Sequence, residues 1–257
     1  MATAPALRVV YHELHVTRRF WRSSVFFFVL TPVLYLGAMG FGLGGLIDEE
    51  QGTVEGLTYL QFVAPGLLAA AAMQGAGNDS LWPVMTGMKW MRVFHAMVAT
   101  PLAPADVFTG TVGWTALRAT AGATVFLGVA AAFGAVPSAF GLLAIPAAML
   151  CAAAFAAPLT AYSATQETDQ RFPLILRLGI LPLFLISGTF FPVSQLPGVM
   201  QPLTWLSPLW HAVVLCRGAT TGSLGFASAF IHAAILVGCA AAGWIWGMRT
   251  FTRRLYP

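Results

Sequence analysis

A chain of 257 residues that is 58% hydrophobic and only 9% charged, with a mean hydropathy of +0.77, cannot shield its apolar surface from water in a soluble fold. The apolar runs are long and do not alternate with polar residues, which excludes a transmembrane β-barrel and leaves an all-α polytopic membrane protein with a net charge of +4. Cys151, Cys216 and Cys239 lie in apolar stretches without metal-ligand spacing and read as small buried hydrophobes.

Residues 1–22 form a basic amphipathic interface helix. Leu7, Val10, Leu14 and Trp21 fall at helical spacing, and Arg8, His12, His15, Arg19 and Arg22 follow one residue on. A cleaved signal peptide is the competing reading, but the apolar run Val25–Leu46 is too long for one and lacks an A-x-A site. The first span, Ser24–Leu46, ends in Gly40, Gly42, Gly44 and Gly45, which suit close helix packing, and an acidic loop with Asp48, Glu49, Glu50 and Glu55 follows. The second span, Tyr59–Leu81, has small residues along it. At its inner end Asp79 either pairs with a basic residue or is hydrated, the hydrated state being the expectation.

Residues 84–105 read as a cytosolic coupling loop. After Pro83, a short helix places Met88, Met91, Phe94 and Val98 on one face with Lys89 and Arg92 beside it, and Thr100 and Pro101 end it. Such a helix is either a knob that docks a partner, because methionine and aromatic side chains make adaptable anchors, or a helix lying on the membrane. The third span, Asp106–Phe133, has Asp106 in its first turn and Arg118 well inside, where it either contacts an anionic group of cargo or makes a structural pair. The fourth, Ala139–Ala164, is alanine-rich and reads as a packing helix. An inner loop, 166–171, leads to the fifth span, Pro173–Phe191, and the last span, Phe226–Met248, runs into Arg249, Arg253 and Arg254. Six spans with both termini cytoplasmic put every basic residue except Arg118 and Arg217 inside.

Between the last two spans, Pro192, Pro197, Gly198 and Pro202 forbid one continuous helix. Gln201, Thr204, Ser207 and His211 line the polar side of an amphipathic stretch broken near Pro208. Residues 188–222 are thus either a re-entrant outer hairpin or a plain interfacial helix, with the hairpin the expectation. Arg217 either reaches outer-leaflet phosphate or caps the end of its helix.

The residues Ser187 through Pro197, followed by Ser207-Pro-Leu-Trp-His211 and Arg217-Gly218, resemble the segment before the last span in ABC-type-2 exporter permeases. Gly40 through Gly44, Tyr59 through Phe62 to Ala64-Pro-Gly66, and Ala99-Thr-Pro-Leu102 with Asp106-Val107 and Gly110 are similar to the NodJ-like subgroup that exports nodulation factors (lipo-oligosaccharides) and drugs. The resemblance runs nearly end to end. It implies that Met88, Lys89, Met91, Arg92, Phe94, Val98, Thr100 and Pro101 couple to a separate ABC ATPase. It also implies that Phe191, Pro192, Gln195, Pro197, Gln201, His211 and Arg217 form an outer gate, and Arg118 and Phe190 are candidates for the cargo path.

No Gly-Lys-[Ser/Thr] phosphate loop occurs, since the only lysine, Lys89, follows Met88, so this chain is not itself the ATPase and ATP with Mg belongs on the partner. No metal or hydrolase signature appears among the histidines. The expected function is a non-catalytic permease moving an amphipathic lipid-linked glycan or hydrophobic drug outward across a bacterial inner membrane. It would work with two ATPase copies and a second permease copy in a homodimer, surrounded by lipid and without nucleic acid. An ion-coupled secondary transporter and an intramembrane enzyme are the alternatives. Carriers of the first kind place an acid near mid-membrane, and here every acid falls at or beyond a span end.

Overall fold

The computed structural model describes residues 5–19, 21–50 and 52–256, and among these the only extended pairing is an isolated bridge between Val54 and Leu57. Residues 1–4, 20, 51 and 257, which the expected interface helix, acidic loop and tail include, lie outside the described residues, as does the side chain of Trp21. Helix α1 (Pro5–Arg18) leaves Leu7 and Leu14 exposed and buries Val9 against Gly110, where a β-carbon would stand 2.4 Å from Val9 Cβ. Helix α2 (Trp21–Gly37) continues through widened π turns at Ala38–Gly44 into α3 (Gly45–Glu50). Of the glycines expected to pack there, Gly40 meets Leu60 and Gly44 meets Tyr59, while Gly42 and Gly45 face open space.

Helix α4 (Tyr59–Met85) is the central post, with most of its length buried. A capping box of Thr58 and Gln61 starts it, and Asp48 Oδ1 accepts a hydrogen bond from Tyr59 N at 3.0 Å. The second span is expected to end at Leu81, yet the helix runs on past Pro83 and through π turns at Thr86–Trp90. The Thr86 hydroxyl and amide both turn back to the Trp82 carbonyl, which steadies the backbone next to the proline. The single coupling helix is also corrected. The chain breaks at Arg92, in the left-handed region at φ 53°, and only α5 (Val93–Val98) follows.

Helix α6 (Pro104–Ala132) is capped by Asp106, whose Oδ2 accepts from Ala103 N at 2.9 Å. Helix α7 (Ala144–Thr165), preceded by a 3₁₀ turn at Ala139–Leu143, presents alanines to α4, α6 and α12. Small side chains let these backbones approach, and dispersion contacts replace the hydrophobic drive that lipid removes. The fifth expected span is shorter than the sequence suggests. Helix α8 (Phe172–Leu174) passes through π turns into α9 (Leu181–Ile186), and Ser187–Phe191 is already a turn. Helices α10 (Gln201–Leu206) and α11 (Pro208–Thr221) follow, then α12 (Phe226–Leu255), which stays helical through the arginines of the tail.

Among the described residues, four helices are long and apolar enough to cross a membrane: Phe28–Glu49, Pro104–Ala132, Ala139–Thr165 and Phe226–Leu255. The other two expected spans correspond to the 27-residue α4 and the shorter apolar stretch Phe172–Ile186.

Helix α12 lies backbone to backbone on α7, where a β-carbon at Gly243 would lie 2.4 Å from Pro158 Cδ and 2.5 Å from Pro158 N. Neither atom can swing aside. Gly243→Ala should therefore cost about 1–3 kcal/mol of stability and lower the melting temperature of the detergent-solubilised protein, whereas Gly238→Ala, with open space around it, should not. Equal melting of both variants would contradict this packing.

Candidate functional site

A cavity of about 370 Å³ opens between α2, α4, α6 and α9. Its lining mixes polar side chains, Thr31, Tyr35, Gln74, Asn78 and Thr115, with the aromatic Phe28, Phe126 and Phe184. Asp79 and Arg118 both line it and are paired, with Arg118 Nη1 donating to Asp79 Oδ1 at 2.8 Å. The expected hydration of Asp79 is thereby corrected: the carboxylate sits too far inside to rely on water and takes the one cation within reach. Arg118 lies on the cavity wall, as a cargo-path residue should, but its charge is already offset. Phe190 is not on this wall; its ring packs edge-on against Phe184 at 4.9 Å, and Phe184 is the aromatic that faces the cavity.

Beyond α9 the chain makes a closed loop. Ser187 Oγ lies 3.0 Å from Ser207 Oγ, and the Thr204 hydroxyl donates to the Ile186 carbonyl at 3.1 Å, so the segment returns to the point where it left. The polar residues expected to avoid lipid do so by these contacts: Gln201 Nε2 donates to Leu196 O at 3.1 Å, and His211 meets both Trp205 O and His232. Pro192 is buried and Phe191 half-buried, while Gln195 and Pro197 are exposed at the tip.

Arg217 reaches neither lipid phosphate nor its own helix end, which corrects both expectations. It donates from Nε to the Phe62 carbonyl at 3.1 Å and from Nη2 to the Gly188 carbonyl at 2.7 Å, with its guanidinium carbon 3.8 Å from the centroid of the Phe62 ring. A planar fork can serve two carbonyls and stack on a ring together. Thr189 packs on Gly66, where a β-carbon would stand 2.9 Å from Thr189 Cα, so the turn lies flat on α4. The far end of α11 is tied to the 134–138 turn by Ser138 N donating to Thr220 O at 3.0 Å.

At the opposite end of the bundle the coupling residues divide into two groups. Met88 and Phe94 are buried, so they are not surface anchors. The Phe94 ring stacks near Phe251 at 5.8 Å, and Phe251 in turn touches Phe108 at 5.2 Å, which joins α5 to α12 and α6. Trp90, Met91, Arg92, Thr100 and Pro101 are exposed, with Lys89 and Val98 between. Lys89 pairs with Glu167, which also accepts from Arg254 Nη1 at 2.7 Å, while Arg254 Nη2 donates to Thr165 O at 2.6 Å. These hydrogen bonds hold the Glu167 carboxyl below its ordinary value. Sequence reasoning missed Glu167 and His232 as partners and left the mate of Asp79 unnamed, because the paired residues lie far apart in the chain.

Two outcomes follow from this geometry. Arg217→Lys leaves a point charge where two carbonyls and a ring need a plane, so it should cost about 1.5–3 kcal/mol of stability in a thermal melt, and wild-type melting would contradict the pin. The Glu167 clasp is whole above the ordinary carboxylate value of 4.5 and is lost as pH falls through its depressed one. Glu167→Gln should remove it at neutral pH, which speeds tryptic cleavage after Arg253 and Arg254; an unchanged rate would show that the tail is held by something else.

Comparison with known proteins places this geometry. The family model described as ABC-2 type transporter matches residues 13–220. Nodulation protein J of Sinorhizobium fredii is 33% identical over 188 residues, covering 73% of this chain and 70% of that protein. Nodulation protein J of Rhizobium leguminosarum bv. viciae is 31% identical over 205 residues, 80% of this chain and 77% of the relative. The inner membrane transport permease YadH of Escherichia coli is 24% identical over 224 residues, 83% and 80% of the two chains. Apolar helices of spanning length, two ends of opposite character and a match over most of the sequence agree: the chain is a multi-pass membrane protein of the ABC-2 type transporter family.

Proposed function

We propose that this chain is the permease subunit of an ATP-driven exporter that carries an amphipathic lipid-linked glycan or drug-like molecule outward. The observation that carries the reading is the cavity of α2, α4, α6 and α9, which is lined by amides and hydroxyls together with phenyl rings. Cargo with a polar head and an apolar body matches such a lining. Because Asp79 offsets Arg118, the site favours an uncharged head over the anionic group expected from Arg118 alone. The relatives named nodulation protein J and transport permease support the same direction.

Power comes from two copies of a separate ABC ATPase, which hold the ATP and Mg, and two copies of this chain form the path. The surface of Trp90, Met91 and Arg92 seats in the ATPase, and Phe94 is its root inside the bundle. A push on α5 therefore reaches α6 and α12 through Phe251 and Phe108. In a bacterial inner membrane both termini are cytoplasmic, and α4 with the Phe172–Ile186 stretch completes six crossings. Residues 188–222 dip in from the outer side as a re-entrant hairpin and gate the exit between the two copies. Their closed loop and the Arg217 pin support a segment built to sit at membrane depth.

The test uses the permease with its ATPase in proteoliposomes. Met91, 72% exposed, can change to Asp without disturbing the core, and Met91→Asp should lower ATP-dependent export about tenfold or more with unchanged melting. Phe94→Asp should instead lower the melting temperature, since Phe94 is only 3% exposed. Full export by a folded Met91→Asp protein would refute the docking surface.

A further inference from the structure

His211 on α11 and His232 on α12 face each other at Nδ1 to Nδ1 2.6 Å, a contact to which the proposed function assigns no role. The hydrogen bonds fix their tautomers. His211 Nε2 lies 3.0 Å from the Trp205 carbonyl, which can only accept, so Nε2 carries a proton. In the uncharged pair, His211 Nδ1 is then the acceptor and His232 Nδ1–H the donor. One added proton is accommodated, because His211 can donate from both nitrogens while His232 changes tautomer. A second proton places N–H against N–H with two like charges, and the contact cannot survive.

Nothing nearby relieves that repulsion. Trp210 lies edge-on to both rings, at 4.9 and 5.2 Å between centroids, and offers no acceptor. Among the helices packed on α11 and α12, α10 carries no titratable side chain, α7 carries Cys151 and Tyr162, and α5 carries His95. Helix α4 brings Tyr59 and Asp79, and α6 brings Asp106 and Arg118. Asp79 is committed to Arg118, and Asp106 caps its own helix. The two helices themselves add Cys216, Cys239, the terminal arginines of α12 and Arg217, and the guanidinium of Arg217 turns to Phe62 and Gly188. Among the described residues, no free carboxylate faces the pair.

We infer that His211 and His232 form a one-proton latch that fastens the α10–α11 hairpin to α12 and releases it when the pair takes a second proton. The latch is made at and above the ordinary imidazole range, near pH 6.5, and is lost below it. That outside acid reaches it rests on the exporter reading; the latch itself does not, and its test needs no transport. Spin labels at Val199→Cys on the hairpin, 85% exposed, and Phe226→Cys on α12, 89% exposed, report the separation in protein whose native cysteines are replaced. Labelled chains are diluted with unlabelled ones so that pairs between copies vanish. A single distance at about pH 7.5 should give way to a second, longer population at about pH 4.5. His232→Gln, which can donate to or accept from His211 without titrating, should keep the single distance at both values. A wild-type distance that ignores pH, or a His232→Gln protein that opens as wild type does, would overturn the latch.

Discussion

Inside a bilayer no water is available to a bare carbonyl or amide, so a chain that leaves the helix at membrane depth must bring its own partners. The Ser187–Ser207 loop brings such partners, as the proposed re-entrant hairpin requires, and much of the architecture around it follows from them. Arg217 takes the carbonyl of Gly188 and reaches across to that of Phe62, while Thr204 takes that of Ile186. Gly188 can adopt φ 72° and Gly66 can lie under Thr189 because neither has a β-carbon. The pin therefore needs small residues on α4, a stacked Phe62 and a buried cation, all from distant parts of the sequence.

The opposite end of the bundle, where the proposed function places the ATPase, is close-packed from surface to core. Arg92 holds a left-handed backbone that few side chains accept, and this turns α5 back under the spans. Phe94 then enters the aromatic stack with Phe251 and Phe108, and Gly247 lets Phe108 approach α12. Close-packed interiors shift as units, so displacement of the exposed Trp90–Arg92 surface is felt by α6 and α12 together. The Lys89–Glu167–Arg254 clasp joins the Thr86–Trp90 turns, the loop after α7 and the end of α12 by charge, at the cost of being salt-sensitive because it is exposed.

Much of this was legible in the sequence wherever the signal was local. Apolar runs of spanning length, the glycine-rich end of the first span and the prolines at 192, 197, 202 and 208 mark helices and breaks through rules that act within a few residues. Asp106 could be read as a helix start for the same reason. What stayed hidden depended on distance along the chain. The spacing of Met88, Met91, Phe94 and Val98 is the same whether the stripe faces a partner or the protein's own interior, and the turn at Arg92 sends Met91 outward and Phe94 inward. The second span looked shorter than it is because its continuation past Pro83 is held by the burial of Val84, Met85 and Met88, which a local rule about prolines does not register. Asp79 with Arg118, and His211 with His232, are pairings that only the fold creates.

The central claim is that residues 187–207 lie within the membrane, on the side opposite the ATPase, and are held there by Arg217. The direct measurement is a cryo-electron microscopy structure of the permease with its ATPase in a lipid nanodisc. The account predicts the 187–207 loop inside the lipid belt, far from the ATPase, with the Arg217 guanidinium between the Phe62 and Gly188 carbonyls. A loop standing in solvent, or on the ATPase side, would contradict it.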